Sequence, residues 1–546
     1  MAAQAALAAP GNSAGTPAFA NEAEALTFKY RYFILIGLIT AAIMEVLDTT
    51  IVNVSLPQMA GNLGATFQEI GWVSTGYILS NVVILPMTAF LAATFGRKRY
   101  LLFSIVVFTI ASFLCGTAHS LSEIVVWRLL QGAGGAALLS TAQATVRQIF
   151  KPEEQGLVQA LFLVGLIVAP TVGPTLGGWI TDNYTWNWCF FINIPIGAIT
   201  FFVVSTFLYD APRTGPTLSL SQVDWTGIAL LATGLGALQY VLEEGNQNDW
   251  FQDPLIRNLA ILSGLCLATM VWWELRPQTK NPVVDFRILK NYTLASSLFL
   301  FVSLGFGLYG GVFIFPQFTQ NILGFSATQT GLVLLPGGIA TTVAVIVCGR
   351  LLNGPKALVD PRILIVTGVA IFMTSMWMLG HLTIQSGESD TQFALIIRGA
   401  GLGFLFTPIN NIAYGSIPPR QAQQASGLIN LTRQLGGSFG IAIIGTYITN
   451  MTVYHRTMLS QHINAAGQET ATRLQAISAG LVAHGYPPAV AKGAALGSLN
   501  RLVTAQAATM SYNDGFLLIL LCFAVTAPAI LLLRSPKRAA APVDAH

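Results

Sequence analysis

The sequence predicts an all-α membrane protein with fourteen transmembrane helices, built as two six-helix bundles plus two inserted helices. Three observations carry this expectation. Hydrophobic residues make up 53% of the chain and charged residues only 9%, against the ~25% charge of an ordinary soluble domain. Fourteen apolar segments follow one another, most of them long enough to cross a hydrocarbon layer of about 30 Å as helices. A weak internal repeat is visible as well: Arg128-Leu-Leu-Gln-Gly-Ala-Gly-Gly135 is echoed by Arg398-Gly-Ala-Gly-Leu-Gly403, and the helices that carry these runs end at Lys151-Pro152 and Pro418-Pro419. Two related halves around a central site are a common plan for secondary transporters. The expected partner of so apolar a surface is the lipid bilayer. No nucleic-acid partner is expected.

In chain order, residues 1–30 form an Ala-rich polar tail expected on the cytoplasmic side. They show neither a basic n-region nor a small-residue cleavage site before a short apolar core, so the first helix is expected to be retained. The first bundle, 31–208, contains segments at 33–56, 70–92, 100–118, 122–148, 156–180 and 188–208. The linker 209–289 carries the two inserted segments, 225–242 and 256–274. The second bundle, 290–534, contains segments at 294–317, 327–351, 361–381, 392–412, 425–449 and 513–534. A long loop, 450–512, precedes the last segment, and a tail, 535–546, follows it.

Most of the 27 Lys and Arg residues fall on one side of this arrangement, including Lys29, Arg31, Arg97-Lys98-Arg99 and Lys537-Arg538. Basic residues accumulate on the cytoplasmic side, so both termini are expected there, in agreement with an even number of spans. The basic residues of the 450–512 loop lie on the outer side, in a segment long enough to escape the rule. The five cysteines stand singly in apolar runs, and all six histidines lie outside those runs or at their edges. Neither a disulfide framework nor a metal site is expected, and no cofactor is implied. A Walker-type phosphate loop is absent from the sequence, so ATP is not the expected energy source.

Two carboxylates break the first apolar run. Glu45 and Asp48 are three residues apart and share one helix face. A charge at membrane depth is costly and normally faces a bundle interior or a water-filled path. Every other Asp and Glu falls in a loop, a tail, or within about two turns of a helix end. Asp48, the deeper of the two, is the expected proton carrier. Glu45 stands between coupling and a structural, hydrogen-bonded role. Three cations, Arg128, Arg398 and Arg433, also lie within apolar segments.

The fifth segment reads Gly165-Leu-Ile-Val-Ala-Pro170-Thr-Val-Gly173-Pro174-Thr-Leu-Gly177-Gly178. Proline removes a backbone donor and kinks a helix, while glycine admits a neighbouring backbone. This run resembles the antiporter signature of the major facilitator superfamily. With Leu47-Asp48-Thr-Thr-Ile-Val-Asn53-Val-Ser-Leu-Pro57, Arg128-Leu-Leu-Gln131-Gly132, Glu243-Glu244-Gly-Asn-Gln-Asn-Asp249-Trp250 and Asn281-Pro-Val-Val-Asp285, the chain resembles more narrowly the fourteen-helix drug:proton antiporters of EmrB type.

That resemblance implies a major facilitator fold in a bacterial inner membrane and the export of amphipathic toxic drugs in exchange for protons. It implies that Asp48 occupies the acidic coupling position, that Arg128 tunes its proton affinity, and that Gly165, Pro170, Gly173, Pro174, Gly177 and Gly178 form the conformational motif. It also implies a periplasmic EmrA-type adaptor and a TolC-like outer-membrane channel as partners. The loop Leu91-Ala-Ala-Thr-Phe-Gly96-Arg97-Lys98-Arg99 lacks the charged residue that usually precedes its Gly-Arg-Lys in the superfamily. Arg97 therefore stands between a conformational lock and a topology anchor.

Trp72, Tyr77, Phe404, Phe406, Asn410 and Asn411 are candidate drug-lining residues, because apolar pockets combine aromatic surface with a few amides. Within 450–512, residues 468–484 and 489–509 read as amphipathic helices, the second following Pro487-Pro488. They suit an adaptor-docking surface or a lid over the transporter's own mouth. Other readings of the chain are a carrier of one defined metabolite and a scaffold without transport. Gly173-Pro174 favours antiport over the first, and Asp48 with Arg128 argues against the second.

Overall fold

A computed structural model describes residues 28–151, 154–209, 224–276, 282–352, 359–418, 421–461, 463 and 467–533. The expected tail 535–546, nearly all of 1–30, and residues 210–223 of the linker lie outside the described residues. The described chain is helical. In order come α1 (Arg31–Leu63), α2 (Trp72–Phe95), α3 (Arg97–Gly116), α4 (Leu121–Ile149), α5 (Gln155–Asn183) and α6 (Trp188–Phe207). The inserted pair is α7 (Trp225–Glu244) and α8 (Pro254–Leu275). The second half contains α9 (Tyr292–Asn321), α10 (Ala327–Leu352), α11 (Pro361–Leu379), α12 (Glu388–Gly415), α13 (Ala422–Gln461), α14 (Gln468–Ala483) and α15 (Pro488–Thr526).

Local chemistry sets the boundaries. α1 does not stop near residue 56 as expected; it runs through Pro57 to Gly64, whose left-handed φ of 64° ends it while its N–H bonds the Ala60 carbonyl. α2 tightens to a 3-10 turn at Leu85–Met87 around Pro86, which lacks a backbone donor. Gly96, at φ 88°, makes the short turn into α3. Asp224, Asp253, Asn291 and Asp360 cap α7, α8, α9 and α11 with side-chain oxygens.

Among the described residues, twelve helices are long and apolar enough to span a membrane, which leaves the expected count of fourteen unconfirmed, and one boundary expectation changes. α5 and α13, which coincide with the fifth and thirteenth apolar segments, are not among the twelve. α13 carries Gln423, Gln424, Asn430 and Arg433 in its first half, and these polar side chains lower its mean hydropathy. The stretches expected at 489–509 and 513–534 form one continuous helix through Asn513-Asp514-Gly515. Tertiary partners hold that sequence helical: Asn513 donates to the Leu382 carbonyl at 2.8 Å, and Asp514 meets His455 of α13 at 2.7 Å.

The two halves pack against each other through α5 on α10 and α4 on α13, while α7 lies against α2 and α8. Glycines permit the tightest crossing. A Cβ on Gly177 of α5 would fall 2.7 Å from the Ile51 carbonyl oxygen of α1, and one on Gly165 would fall 2.7 Å from Ile39. A Cβ on Gly173 would collide with the Thr50 hydroxyl. The small residues of α5 thus let α1 lie directly on its backbone, as close packing in lipid requires.

Gly177→Val should therefore cost about 1–3 kcal/mol by forcing α1 and α5 apart. Gly264→Ala of α8, where a Cβ meets nothing within 4 Å, should have little effect. Thermal unfolding of the two variants in detergent, followed by circular dichroism, measures the difference. Equal midpoints would remove the close crossing from the account of the fold.

Candidate functional site

Asp48 lies on the face of α1 that meets α4, and it is completely buried. Arg128 of α4, also buried, donates through Nη1 to Asp48 Oδ2 in an ion pair. The other carboxylate oxygen accepts from Gln131 Nε2 at 2.9 Å and from Asn193 Nδ2 of α6 at 3.0 Å. Arg128 is held in turn: its Nε donates to the Val73 carbonyl at 2.7 Å and Nη1 donates to Gln131 Oε1 at 2.8 Å. The Tyr77 ring lies 4.4 Å from the guanidinium carbon. Asn193 is anchored by Ser112 at 3.0 Å. Four helices therefore contribute to one buried charge pair.

Local sequence explains the convergence. Asp48 and Glu45 share a helix face by their spacing of three, as Arg128 and Gln131 do on α4. Gly132 and Gly135 carry no side chain, so the Tyr77 backbone and hydroxyl of α2 reach the α4 backbone. Glu45, one turn from Asp48, accepts from Asn81 Nδ2 at 3.2 Å and from the Leu139 backbone N–H at 2.9 Å. It forms no ion pair within 4 Å among the described residues.

Beside this network, on the face of α1 that carries Val46, Thr50 and Asn53, lies a cavity of about 780 Å³ between the two halves. Its other walls come from α5, α9, α10, α12 and α13, with Pro174, Tyr309, Phe313 and Phe406 among them. Arg398 and Arg433 also line it. At the end where α4 and α12 finish and α13 begins, the halves are joined by a polar seam. Gln143 donates to Asn410 at 3.3 Å, Gln423 donates to Thr141 at 3.1 Å, Ser426 donates to the Ser140 carbonyl at 2.8 Å, and Arg147 donates to the Tyr414 carbonyl at 3.2 Å. The cavity runs the other way, toward Leu56, Gln320 and Asn321 at the far ends of α1 and α9.

The sequence-derived candidates fall in different places. Asp48 and Arg128 meet, with Glu45 one turn away. Pro174 borders the cavity, while Gly165, Gly173, Gly177 and Gly178 are buried along α5. The Pro170 side chain lies outside the described residues. Arg97 opens α3 and is half-buried. Of the six drug-lining candidates, Phe406 lies on the cavity wall. Tyr77 sits under Arg128, Trp72 packs on Tyr240 of α7 at 5.5 Å, and Phe404 packs against Gly368 of α11. Asn410 belongs to the polar seam and Asn411 is half-buried next to it.

Sequence reasoning passed over Gln131, Asn193 and Asn81, the amides that complete the carboxylate shells. Each is a polar residue inside an apolar run, a signal weaker than a charge but of the same kind.

A family model described as "Major Facilitator Superfamily" matches residues 38–441. The multidrug export protein EmrB of Haemophilus influenzae is 33% identical over 79% of this chain and 82% of its own length. The fatty acid resistance protein FarB of Neisseria gonorrhoeae is 32% identical over 92% of this chain and 96% of its own. The fold is similar to that of the human organic anion transporter MFSD10, with a TM-score of 0.52 at 13% identity, covering 92% of this chain and 99% of that one.

Removing one member of a buried ion pair costs about 3–5 kcal/mol, because a lone charge is left behind. Arg128→Met should destabilise the protein by that order, and adding Asp48→Asn should restore part of the loss. Detergent unfolding of the single and double variants measures the coupling. Strict additivity of the two changes would mean that the pair is not energetically linked.

The buried charge pair at membrane depth, the central cavity between two halves, the family match over most of the chain and the extended similarity to EmrB proteins converge: the chain belongs to the major facilitator superfamily, within its EmrB-type transporters.

Proposed function

We propose that this protein is a proton-driven multidrug efflux transporter of the bacterial inner membrane, exporting amphipathic toxic compounds in exchange for protons. The efflux class follows from its EmrB-type relatives. The proton coupling is our reading of one observation: a fully buried carboxylate, Asp48, is paired with Arg128 on a helix, α1, whose other face borders the central cavity.

A buried carboxylate can change its proton affinity when its partners move, since desolvation favours the neutral acid and a nearby cation favours the anion. Asp48 takes up a proton when its surroundings connect to the outer side. Neutralisation releases Arg128 from the ion pair, leaving it with the Val73 carbonyl and Gln131. α1 is then free to shift against α4, and because α1 also forms one wall of the cavity, the shift changes the side from which cargo is reached. Loss of the proton to the inner side reforms the pair. A ligand or proton drives such an exchange only through a difference in affinity between the two states.

Both termini are assigned to the cytoplasm, which puts the polar seam on the inner side and directs the cavity outward. The 450–512 loop then lies in the periplasm. There the lower part of α13, α14 and the first turns of α15 form a projecting helical unit on which Leu496 and Leu502 are exposed. We assign to it the docking of an EmrA-type adaptor, leading to a TolC-like outer-membrane channel. A carrier of a single metabolite fits the same fold, but nothing in the cavity favours it.

Asp48→Asn should abolish uphill drug transport into inverted vesicles and drug-evoked proton release from the purified protein, while Glu45→Gln should reduce both only in part. Near-normal uphill transport by the Asp48→Asn protein would remove Asp48 from the role of proton carrier.

Replacing residues 468–509 with a short flexible linker should leave transport in inverted vesicles intact and abolish drug resistance of whole cells. Equal loss in both assays would make the loop a lid rather than a docking surface.

A further inference from the structure

The inserted pair α7 and α8 reaches both halves at the mouth of the cavity, the end near Leu56, Gln320 and Asn321. α7 packs on α2 of the first half and on α13 of the second. On the first side, Tyr240 meets Trp72 with ring centroids 5.5 Å apart. On the second side, the turn between α7 and α8 sends Trp250 across to α13, where its indole Nε1 donates to Thr446 Oγ1 at 2.9 Å. The Thr446 hydroxyl itself donates to the Ala442 carbonyl at 2.8 Å, which leaves its lone pairs for the indole.

This turn is built at a conformational cost. Asp249 and Trp250 have φ of 51° and 53°, in the left-handed region that bulky side chains avoid. Residues in such conformations persist when their surroundings over-determine them, and they cluster at working parts of a protein. Here the Trp250 backbone N–H donates to the Gly245 carbonyl at 2.7 Å. The ring lies on Gly245, where a Cβ would fall 2.7 Å from its Cε3, and the indole is fixed by Thr446. Asp253, which caps α8 through the N–H groups of Leu255 and Ile256, fixes where the turn ends. A connector that merely joined α7 to α8 would place glycine or asparagine at these φ values. A tryptophan held there by three separate contacts is used for what it reaches.

What it reaches lies across a boundary that has to move. The polar seam joins the halves at one end, and the cavity opens at the other. For the cavity to be reached from the seam end instead, α13 must shift against α2 and α7 at the mouth, and the bond from Trp250 to Thr446 spans that gap. We propose that Trp250 is a positioning residue for transport: it straps the inserted pair to α13, is bonded while the mouth is open, and lets go when the mouth closes. The proposal rests on reading the cavity as reached alternately from its two ends. It goes beyond that reading in giving the inserted pair a task, which is to set the balance between the two states.

The test uses the purified full-length protein with spin labels on Asn62→Cys and Gln385→Cys, exposed positions at the mouth end of α1 and of the α11 to α12 connection. Cys266→Ser and Cys522→Ser first remove the half-buried native thiols. Double electron–electron resonance then reads the distance across the mouth, and two distances are expected, long for open and short for closed. Trp250→Phe, which keeps the ring, and Thr446→Val, which exchanges the hydroxyl for a methyl group, should each lower the long-to-short ratio by about two- to tenfold, as loss of one hydrogen bond does. Thr446→Ser should keep the ratio, and Trp250→Phe combined with Thr446→Val should add little to either change alone. A contact with a structural duty alone would lower the unfolding midpoint of both variants and leave the ratio unchanged, and that result would overturn the proposal. Should Trp250→Phe fail to fold, the comparison of Thr446→Val with Thr446→Ser decides. A single distance in every protein would remove the strap together with the alternating cavity. A ratio that follows the strap variants but not pH keeps the strap and removes proton uptake as the event that drives the exchange.

Discussion

The arrangement of the first half depends on the pairing of Asp48 with Arg128. An isolated charge buried in an apolar bundle is costly, so each of these side chains needs the other and needs hydrogen bonds for its remaining atoms. Gln131, Asn193 and the Val73 carbonyl supply them, and in doing so tie α1, α2, α4 and α6 to one point. The glycines of α4 follow from that requirement, because the α2 backbone has to come close enough for Val73 to face the guanidinium. The tight crossing with α5 meets α1 beside the cavity, with Thr50 at the border of both, on the side of the helix turned away from Asp48.

Charge is distributed unequally between the halves. In the first half, the Asp48–Arg128 pair and a hydrogen-bonded Glu45 have all their carboxylate oxygens bound by neighbouring side chains or backbone. In the second half, Arg398 and Arg433 border empty volume instead of a carboxylate. In a repeat-built protein the same helix position can carry different neighbours in the two halves, as Arg128 and Arg398 do here.

The polar seam supplies the other constraint. Gln143, Asn410, Gln423, Ser426 and Arg147 join the halves by neutral or singly charged hydrogen bonds. Bonds of this kind contribute about 0.5–1.5 kcal/mol each when water is the alternative partner, so the seam can separate and reform without a large barrier. A buried apolar contact of similar extent would hold the halves in one state.

The sequence by itself determined the class of the protein, the approximate course of the helices and the two ends of the central ion pair. A charge inside an apolar run is rare, and Asp48 and Arg128 stand out for that reason alone. Helix starts were legible where Asp224, Asp253, Asn291 and Asp360 cap them locally, but the end of α1 at Gly64 was not, nor was the continuity through Asn513-Asp514-Gly515, where His455 and Leu382 from distant elements hold the chain helical. The amides that finish the carboxylate shells, and the division of Phe404, Phe406 and Asn410 among packing, cavity wall and seam, were decided only by tertiary structure. Helical periodicity gives the face on which a residue lies, whereas its neighbour across the gap depends on how two helices cross. That Arg398 and Arg433 share a cavity wall without a carboxylate is a fact of the same kind: local sequence marks both as buried cations, and only the packing of α9, α12 and α13 leaves them facing the same space.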